Sequence, residues 1–355
     1  MAYASGYFKT HYGEDLVLLE TRSQKIALAA AFVILLAYPL AASPFFLGLA
    51  NQVFLAIIGA AALMLLTGYA GQISLGHAGL LASGALTTGI MFKEFGAPFW
   101  ITLPSSAIVG AVLGIVFGIP SLRLKGLYLA VSTLALHFVV AFIGGEYETR
   151  RGFSTGVVIR APQIGGFQFN EGYHWYFALL AIDIVVMLFC INLVRSRTGR
   201  ALMAVREREI VAEAVGIPVR RYKLTAFVLS SAMTAVAGSL IAYYRGFVSM
   251  DAFTLNLTIE YVAMVIIGGL GSMLGVVLGA LFVVTLPYVV EGFLRILPIP
   301  QGMANELFAV NFAAFGLIMI LFLVYEPLGL VGIWHRIRNY FLLWPFRQTG
   351  AGGGS

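Results

Sequence analysis

Residues 26–92 read IALAAAFVILLAYPLAASPFFLGLANQVFLAIIGAAALMLLTGYAGQISLGHAGLLASGALTTGIMF, 67 residues between Lys25 and Lys93 without one Asp, Glu, Lys or Arg. A soluble core does not sustain such a run. A hydrocarbon layer ~30 Å thick needs about 20 apolar residues for each helix that crosses it, and this stretch is long enough for more than one crossing. The pattern recurs at 95–122, 126–145, 224–244, 261–290 and 307–325, all free of the same four residue types. The chain is therefore expected to be solvated mainly by lipid.

Composition agrees. Of 355 residues, 60% are hydrophobic and 11% charged, against roughly 25% charged in an ordinary soluble domain. Forty glycines suit helices that approach closely in a membrane. A β-barrel would alternate apolar and polar residues in short segments, whereas these runs are continuous. One cysteine, Cys190, excludes an internal disulfide and a cysteine-based metal cluster. The net charge of +6 gathers at the ends of the apolar runs, which is a topology signal and leaves no basic soluble face for nucleic acid. Residues 1–25 form a cytoplasmic or interfacial segment. It carries Lys9, Glu14, Asp15, Glu20 and Arg22, so the first apolar run starts too late for a cleavable signal. Leu16, Val17, Leu18 and Leu19 suit either a membrane surface or a solvated tail.

Ten spans are predicted: 26–43, 46–67, 73–92, 98–119, 126–144, 173–194, 224–243, 257–269, 273–292 and 305–325, the eighth short enough for a half-helix. Lys and Arg in short loops mark the cytoplasmic side. Between 195 and 223 lie Arg195, Arg197, Arg200, Arg206, Arg208, Arg220, Arg221 and Lys223. Placing that loop inside also places Arg123, Lys125, Lys9, Arg22, Lys25, Arg336, Arg338 and Arg347 inside, so both termini are cytoplasmic. The fold class is all-α, a polytopic helical bundle of about ten transmembrane helices. A transmembrane domain covers 26–325, with an external loop 145–172 and a cytoplasmic loop 195–223. A cytoplasmic tail covers 326–355, whose last residues, 350–355, are flexible Gly/Ser sequence.

Loop 195–223 is more than a connector. Leu202, Val205, Ile210 and Ala214 recur at roughly helical spacing among charges. Gly216 marks a stop and Pro218 discourages continuation. Such a helix either docks in a groove of a cytoplasmic partner or lies on anionic lipid.

Several stretches resemble the signature of the branched-chain amino-acid ABC transporter permeases. They are Gly68-Tyr-Ala-Gly-Gln-Ile-Ser-Leu-Gly-His-Ala-Gly79, Leu122-Arg-Leu-Lys-Gly-Leu-Tyr-Leu-Ala130, Ala212-Glu-Ala-Val-Gly-Ile217, Arg221-Tyr-Lys-Leu-Thr-Ala-Phe227, Gly246-Phe-Val-Ser249, Ile259-Glu260, Met264-Val-Ile-Ile-Gly-Gly-Leu-Gly-Ser272 and Glu326-Pro-Leu-Gly-Leu-Val-Gly332. They cover about 40–335 in the family's order and are most similar to its LivM-like subunits. The resemblance implies a bacterial inner-membrane importer with a second, LivH-like permease, two cytoplasmic ABC ATPases and a periplasmic substrate-binding protein. It implies that loop 195–223 couples to the ATPases, with Arg206, Glu207, Ala212, Glu213, Ala214 and Gly216 facing them. No Gly-Lys dipeptide occurs in the chain, so no phosphate loop of the G-x-x-x-x-G-K-[ST] kind is present. ATP and Mg²⁺ are accordingly expected on the partner subunits, with no catalytic residue, cofactor or metal on this chain. Branched-chain amino acids are the family's default cargo, and similar permeases serve amides, polar amino acids and organic acids.

The glycine motifs also have a packing reading. Gly110, Gly114 and Gly118, and likewise Gly271, Gly275 and Gly279, stand four apart and bare one helix face for close contact. Gly71, Gln72, Ser74, Gly76 and His77 mix glycine with polar groups. They are expected either to line the translocation path, where half-helix N–H groups attract a carboxylate, or to form a hinge bonded to neighbouring carbonyls. Asp183 lies mid-span and must be paired, protonated or wetted. With His77 and His137 it leaves open an ion-coupled secondary transporter or a membrane enzyme. Glu260, at a span start, is expected to cap a helix or touch the partner permease. Tyr173, Trp175 and Tyr176 are expected to anchor at the membrane interface.

Overall fold

Helices are the economical answer for these runs because every backbone N–H and C=O of an α-helix interior is bonded within its own segment. The computed structural model describes residues 22–122, 124, 126–152, 156–164, 167–169, 172–296, 313, 316–322, 324–326 and 328–343, and it is almost entirely helical. In chain order come α1 (Arg22–Ala41), α2 (Pro44–Leu63) continued by a π-helical stretch (Met64–Tyr69), α3 (His77–Phe95), α4 (Phe99–Ser121) and α5 (Leu127–Arg150). The strands β1 (Val157–Val158), β2 (Gln163–Ile164) and β3 (Phe167–Gln168) precede α6 (Gly172–Arg195), α7 (Arg197–Glu207), α8 (Glu209–Ala214) and α9 (Val219–Arg245). Strand β4 (Phe247–Val248) and a 3₁₀ turn (Met250–Ala252) lead into α10 (Leu255–Gly268) and α11 (Met273–Ile296), and the last described helix is Gly329–Leu343.

Seven segments are long and apolar enough to cross a membrane: Pro44–Tyr69, Phe99–Ser121, Tyr128–Arg150, Gly172–Arg195, Val219–Arg245, Met250–Gly268 and Met273–Phe293. The expected span 26–43 appears as a shorter apolar helix, Lys25–Ala41. The expected span 73–92 begins only at His77, and α3 is not one of the seven. Its Ser83, Thr87, Thr88 and glycines make it too polar, which it tolerates because His77–Leu86 are all buried in protein. The expected span 305–325 lies mostly outside the described residues, as do 1–21, Arg123, Lys125, 344–355 and part of loop 145–172.

Helix α3 is held to α4 and α9 by near contact of backbones. A Cβ on Gly84 would strike the Ala235 carbonyl, and one on Gly238 would strike the Leu81 carbonyl. Hydroxyls knit the same three helices: Thr88 donates to Ser239 at 2.6 Å and lies 3.2 Å from Ser106, which donates to the Gly84 carbonyl at 3.2 Å. Thr102 and the Tyr243 hydroxyl pair at 2.7 Å. Gly110, Gly114 and Gly118 of α4 face α9 at Ala235 and Ser231, at Ser231 and Val228, and at Leu224 and Phe227 respectively.

Gly275 and Gly279 bring α11 against α10 at Gly268 and Met264. Gly271 does not extend that stripe. It sits in the turn before α11 at φ 85°, a left-handed conformation that glycine adopts without strain, and faces Arg206. Loop 145–172 is also shorter than expected, because α5 runs on through Arg150. Beyond α5 the chain is tied down by short ladders: β1 pairs antiparallel with β4, and β2 with β3. Glu148 accepts from the Met250 N–H at 3.1 Å, fastening the end of α5 to the turn before α10. Trp175 and Tyr176 are buried rather than interfacial. Tyr176 stacks on Tyr38 with ring centroids 5.8 Å apart and donates to the Leu35 carbonyl at 2.8 Å. Only Tyr173 of the three is exposed.

Two leucine substitutions test the glycine contacts. Gly84→Leu and Gly238→Leu should destabilise the bundle by on the order of 1–3 kcal/mol through overpacking. Gly145→Ala, with open space around it, should be neutral. The lone thiol, Cys190, is fully buried, so a thiol-reactive dye in a thermal ramp reports unfolding directly. Midpoints several degrees lower for the two leucine variants, and unchanged for Gly145→Ala, are expected.

Candidate functional site

Polar chemistry gathers in two places, one at each end of α9. The first is the junction between α2 and α3. The π-helical stretch widens the last turn of α2, a feature frequent at functional sites, and the chain then runs non-helically from Ala70 to Gly76. Its polar groups are met by side chains from four directions. Thr67 donates to the Gln72 carbonyl at 3.1 Å, and the Gln72 amide donates to the Lys223 carbonyl at 3.1 Å. Thr133 of α5 accepts from the Leu75 N–H at 2.9 Å, Ser74 from the Gly76 N–H at 3.3 Å, and Thr258 of α10 from the Ala78 N–H at 3.0 Å. Of the donors at the start of α3 that could have faced a carboxylate, the Ala78 and Leu80 N–H groups are already engaged, the second by the Gly76 carbonyl. Gly76 and Gly79 admit the α5 backbone at Thr133 and His137. Gln72, Ser74, Gly76 and His77 are buried, and Gly71 is exposed with φ 68°.

Loop 195–223 is fastened to this junction. Ser196 caps α7, accepting from the Gly199 N–H at 3.4 Å. Arg206 on the last turn of α7 donates to the Gly68 carbonyl, and its stem lies over Gly71 while its guanidinium faces Gly271. One side chain therefore touches the end of α2 and the α10–α11 turn. Glu209 pairs with Lys223 at 2.9 Å, closing the loop on the start of α9. The loop is two helices, broken at Arg208 (φ −151°, ψ 101°), where a single one was expected. The break rotates the apolar face: Leu202, Val205 and Ala212 point inward, and Ala212 packs with Val205 and Val219. Ile210 and Val215 are 80% and 72% exposed, and Glu207, Glu213, Ala214 and Gly216 share the exposed side. Gly216, at φ 85°, ends α8 with its N–H on the Glu213 carbonyl.

The second place is a cavity of about 570 Å³ between α2, α9, α10 and α11. It lies at the far end of α9: Lys223 to Arg245 is 22 residues, ~33 Å at 1.5 Å per residue. Its polar lining is Gln52, Tyr244, Arg245, Glu260, Tyr261 and Tyr288, set among apolar residues such as Leu55, Leu257 and Met264. The Tyr288 hydroxyl donates to Gln52 at 3.3 Å. Arg245 acts electrostatically on Glu260, yet no direct ion pair joins them. None of Gly71, Gln72, Ser74, Gly76 or His77 lines this cavity. The sequence held one hint of it: Arg245 closes the apolar run 224–244 and Glu260 precedes the run 261–290.

The remaining intramembrane polar residues do not converge. The His77 ring lies 4.8 Å from Tyr261, with Nδ1 3.5 Å from the Thr234 hydroxyl. His137 is on α5 beside Gly79. Asp183 is buried on α6, and neither of its carboxylate oxygens has a hydrogen-bond partner among the described residues. Among those residues no group of His, Cys, Asp and Glu is placed to hold a metal ion.

Comparison with known proteins fits this arrangement of long apolar helices joined by a charged helical loop. Residues 45–324 match the family model described as branched-chain amino acid transport system / permease component. The high-affinity branched-chain amino acid transport system permease protein LivM of Salmonella typhimurium is 32% identical over 335 residues, 88% of this chain and 76% of that protein. LivM of Escherichia coli K12 is 31% identical over the same shares. A probable branched-chain amino acid transport permease protein LivH of Methanocaldococcus jannaschii is 24% identical over 72% of this chain and 82% of its own length. No solved structure matches the chain significantly. Its relatives are transport subunits and not enzymes. With the matched region spanning the helices that build both polar places, the chain belongs to the family of branched-chain amino acid transport system permeases of ABC transporters.

Proposed function

We propose that this chain forms half of the translocation path of an ATP-driven importer in the bacterial inner membrane. It would work beside a second, LivH-like permease, above two ATPases, and below a periplasmic protein that delivers the cargo. The cargo is a branched-chain amino acid or a related small amino acid, amide or organic acid. In this reading the bundle has about ten spans with both termini cytoplasmic, α7 and α8 lie in the cytoplasm, and the Arg245 end faces outward. ATP and Mg²⁺ are bound by the partners and not by this chain.

The observation that carries the reading is the Arg206 tie. An exposed helix pair with two bare apolar side chains, Ile210 and Val215, suits a groove in a soluble partner. The guanidinium behind it grips the end of α2 and faces the turn before α11. Movement of the loop by an ATPase would reach α2, α3 and α11 through that contact and through the Glu209–Lys223–Gln72 chain. Helices α2 and α11 are two walls of the cavity, so the same movement reshapes it. A second reading, an ion-coupled secondary transporter, draws on the unpartnered carboxylate of Asp183. Uptake by proteoliposomes that follows an imposed ion gradient without ATP, and that Asp183→Asn abolishes, would favour it.

Two substitutions on the exposed side of the loop test the docking face. Glu213→Lys and Gly216→Arg should leave the protein folded while lowering uptake and substrate-stimulated ATP hydrolysis by at least tenfold; normal stimulation in both would sink the assignment. Arg206→Ala tests transmission separately. It should keep the ATPases bound and hydrolysing while uptake falls about tenfold, measured as cargo moved per ATP. An unchanged ratio would show that the tie carries no motion.

A further inference from the structure

We propose that the cavity between α2, α9, α10 and α11 is a station that reads a zwitterion in transit, with Arg245 taking an α-carboxylate, Glu260 taking an α-ammonium, and Leu55, Leu257 and Met264 receiving an aliphatic side chain. This rests on the importer reading and deepens it, placing part of the selectivity in the permease itself.

Three observations support it. First, the size fits. A cavity of about 570 Å³ falls within the ~300–1,000 Å³ of small-molecule sites, which combine mostly apolar walls with a few placed polar groups. Second, the charges are of both signs and held apart. Arg245 ends α9 and Glu260 lies on α10, and both line the cavity without an ion pair joining them. A pair closed on itself would leave nothing for a ligand, and the space between these two can hold the complementary charges of an amino acid. The planar guanidinium fork matches a carboxylate bidentately, and a carboxylate accepts from an ammonium group. Third, neither charge is tolerable against lipid. Ionised side chains in membrane helices face a bundle interior, a partner or water, and Arg245, exposed at the end of α9, and Glu260 make the end of the cavity they line polar. The cavity follows α10 from Leu257 to Met264, 7 residues or ~10 Å, long enough to hold an amino acid along the helix. Tyr261, buried at its wall, lies against both Gly59 of α2 and the His77 ring. The wall thus touches the helix junction that loop 195–223 grips.

The test uses the assembled transporter in proteoliposomes with its loaded binding protein. Uptake of radiolabelled L-leucine and ATP hydrolysis are measured together for the parent, R245Q, E260Q, R245K and E260D. Each charge-removing variant should lose leucine uptake at least tenfold while ATP hydrolysis stays within about twofold of the parent. R245K, which keeps the charge but loses the fork, and E260D should each lose less uptake than the charge-removing variant at the same position. Parent-like uptake in R245Q and E260Q would overturn the proposal, as would equal loss in the charge-keeping and charge-removing variants. Release of the second permease from R245Q or E260Q during purification would also overturn it, because the charges would then be an interface contact. A parent that imports another cargo with ATP but no leucine would overturn this proposal alone, whereas a parent whose uptake of every cargo tried is independent of ATP would bring down the importer reading, and this proposal with it.

Discussion

Backbone polar groups at membrane depth have no water to bond, and in this protein the chain between Tyr69 and His77 leaves the helix where neighbouring spans surround it. The rest of the bundle is arranged around covering that break. Thr133 from α5, Thr258 from α10 and Arg206 from α7 each satisfy one of its N–H or C=O groups, and Gln72 reaches the Lys223 carbonyl at the start of α9. Each unmet group would cost several kcal/mol in hydrocarbon, so helices distant in sequence are held to one point.

Close packing supplies the complementary stiffness. Between helices in lipid there is no hydrophobic driving force, so contact area and hydroxyl bonds decide association. Glycines 84, 110, 114 and 238 let α3, α4 and α9 meet nearly backbone to backbone, and Thr88, Ser106 and Ser239 bond across the seam. These three helices form a rigid block. The cavity lies on its flank, where α9 meets α2, α10 and α11. Helix α10, 14 residues or ~21 Å long, is too short to span alone and is completed by the 3₁₀ turn held by Glu148.

Much of the architecture was legible in the chain. Uncharged runs marked the long helices, basic clusters marked the loop that forms α7 and α8, and Gly216 marked the end of α8. The departures have specific causes. Helix α3 starts four residues later than its span because Ser74 and Gly76 are bonded outside a helix. Helix α5 runs past Gly145 because the aqueous end of a span carries no hydropathy signal to stop it. The apolar repeat of Leu202, Val205, Ile210 and Ala214 assumes one helix, and the extended conformation at Arg208 turns half of it outward.

Hydropathy, glycine spacing and charge placement are local properties, and they were enough to determine that this chain is a helical membrane protein and where its segments lie. Which groups meet is not local. Arg245 and Glu260 look like ordinary span ends in sequence, Arg206 looks like one basic residue among eight, and Trp175 looks like an interfacial anchor. Only tertiary packing puts the first two in the lining of one cavity, the third across the end of α2, and the fourth inside the core. The physical reason is that side-chain partners here come from different helices, 138 residues apart for Arg206 and Gly68, brought together by backbone contacts no single helix can specify.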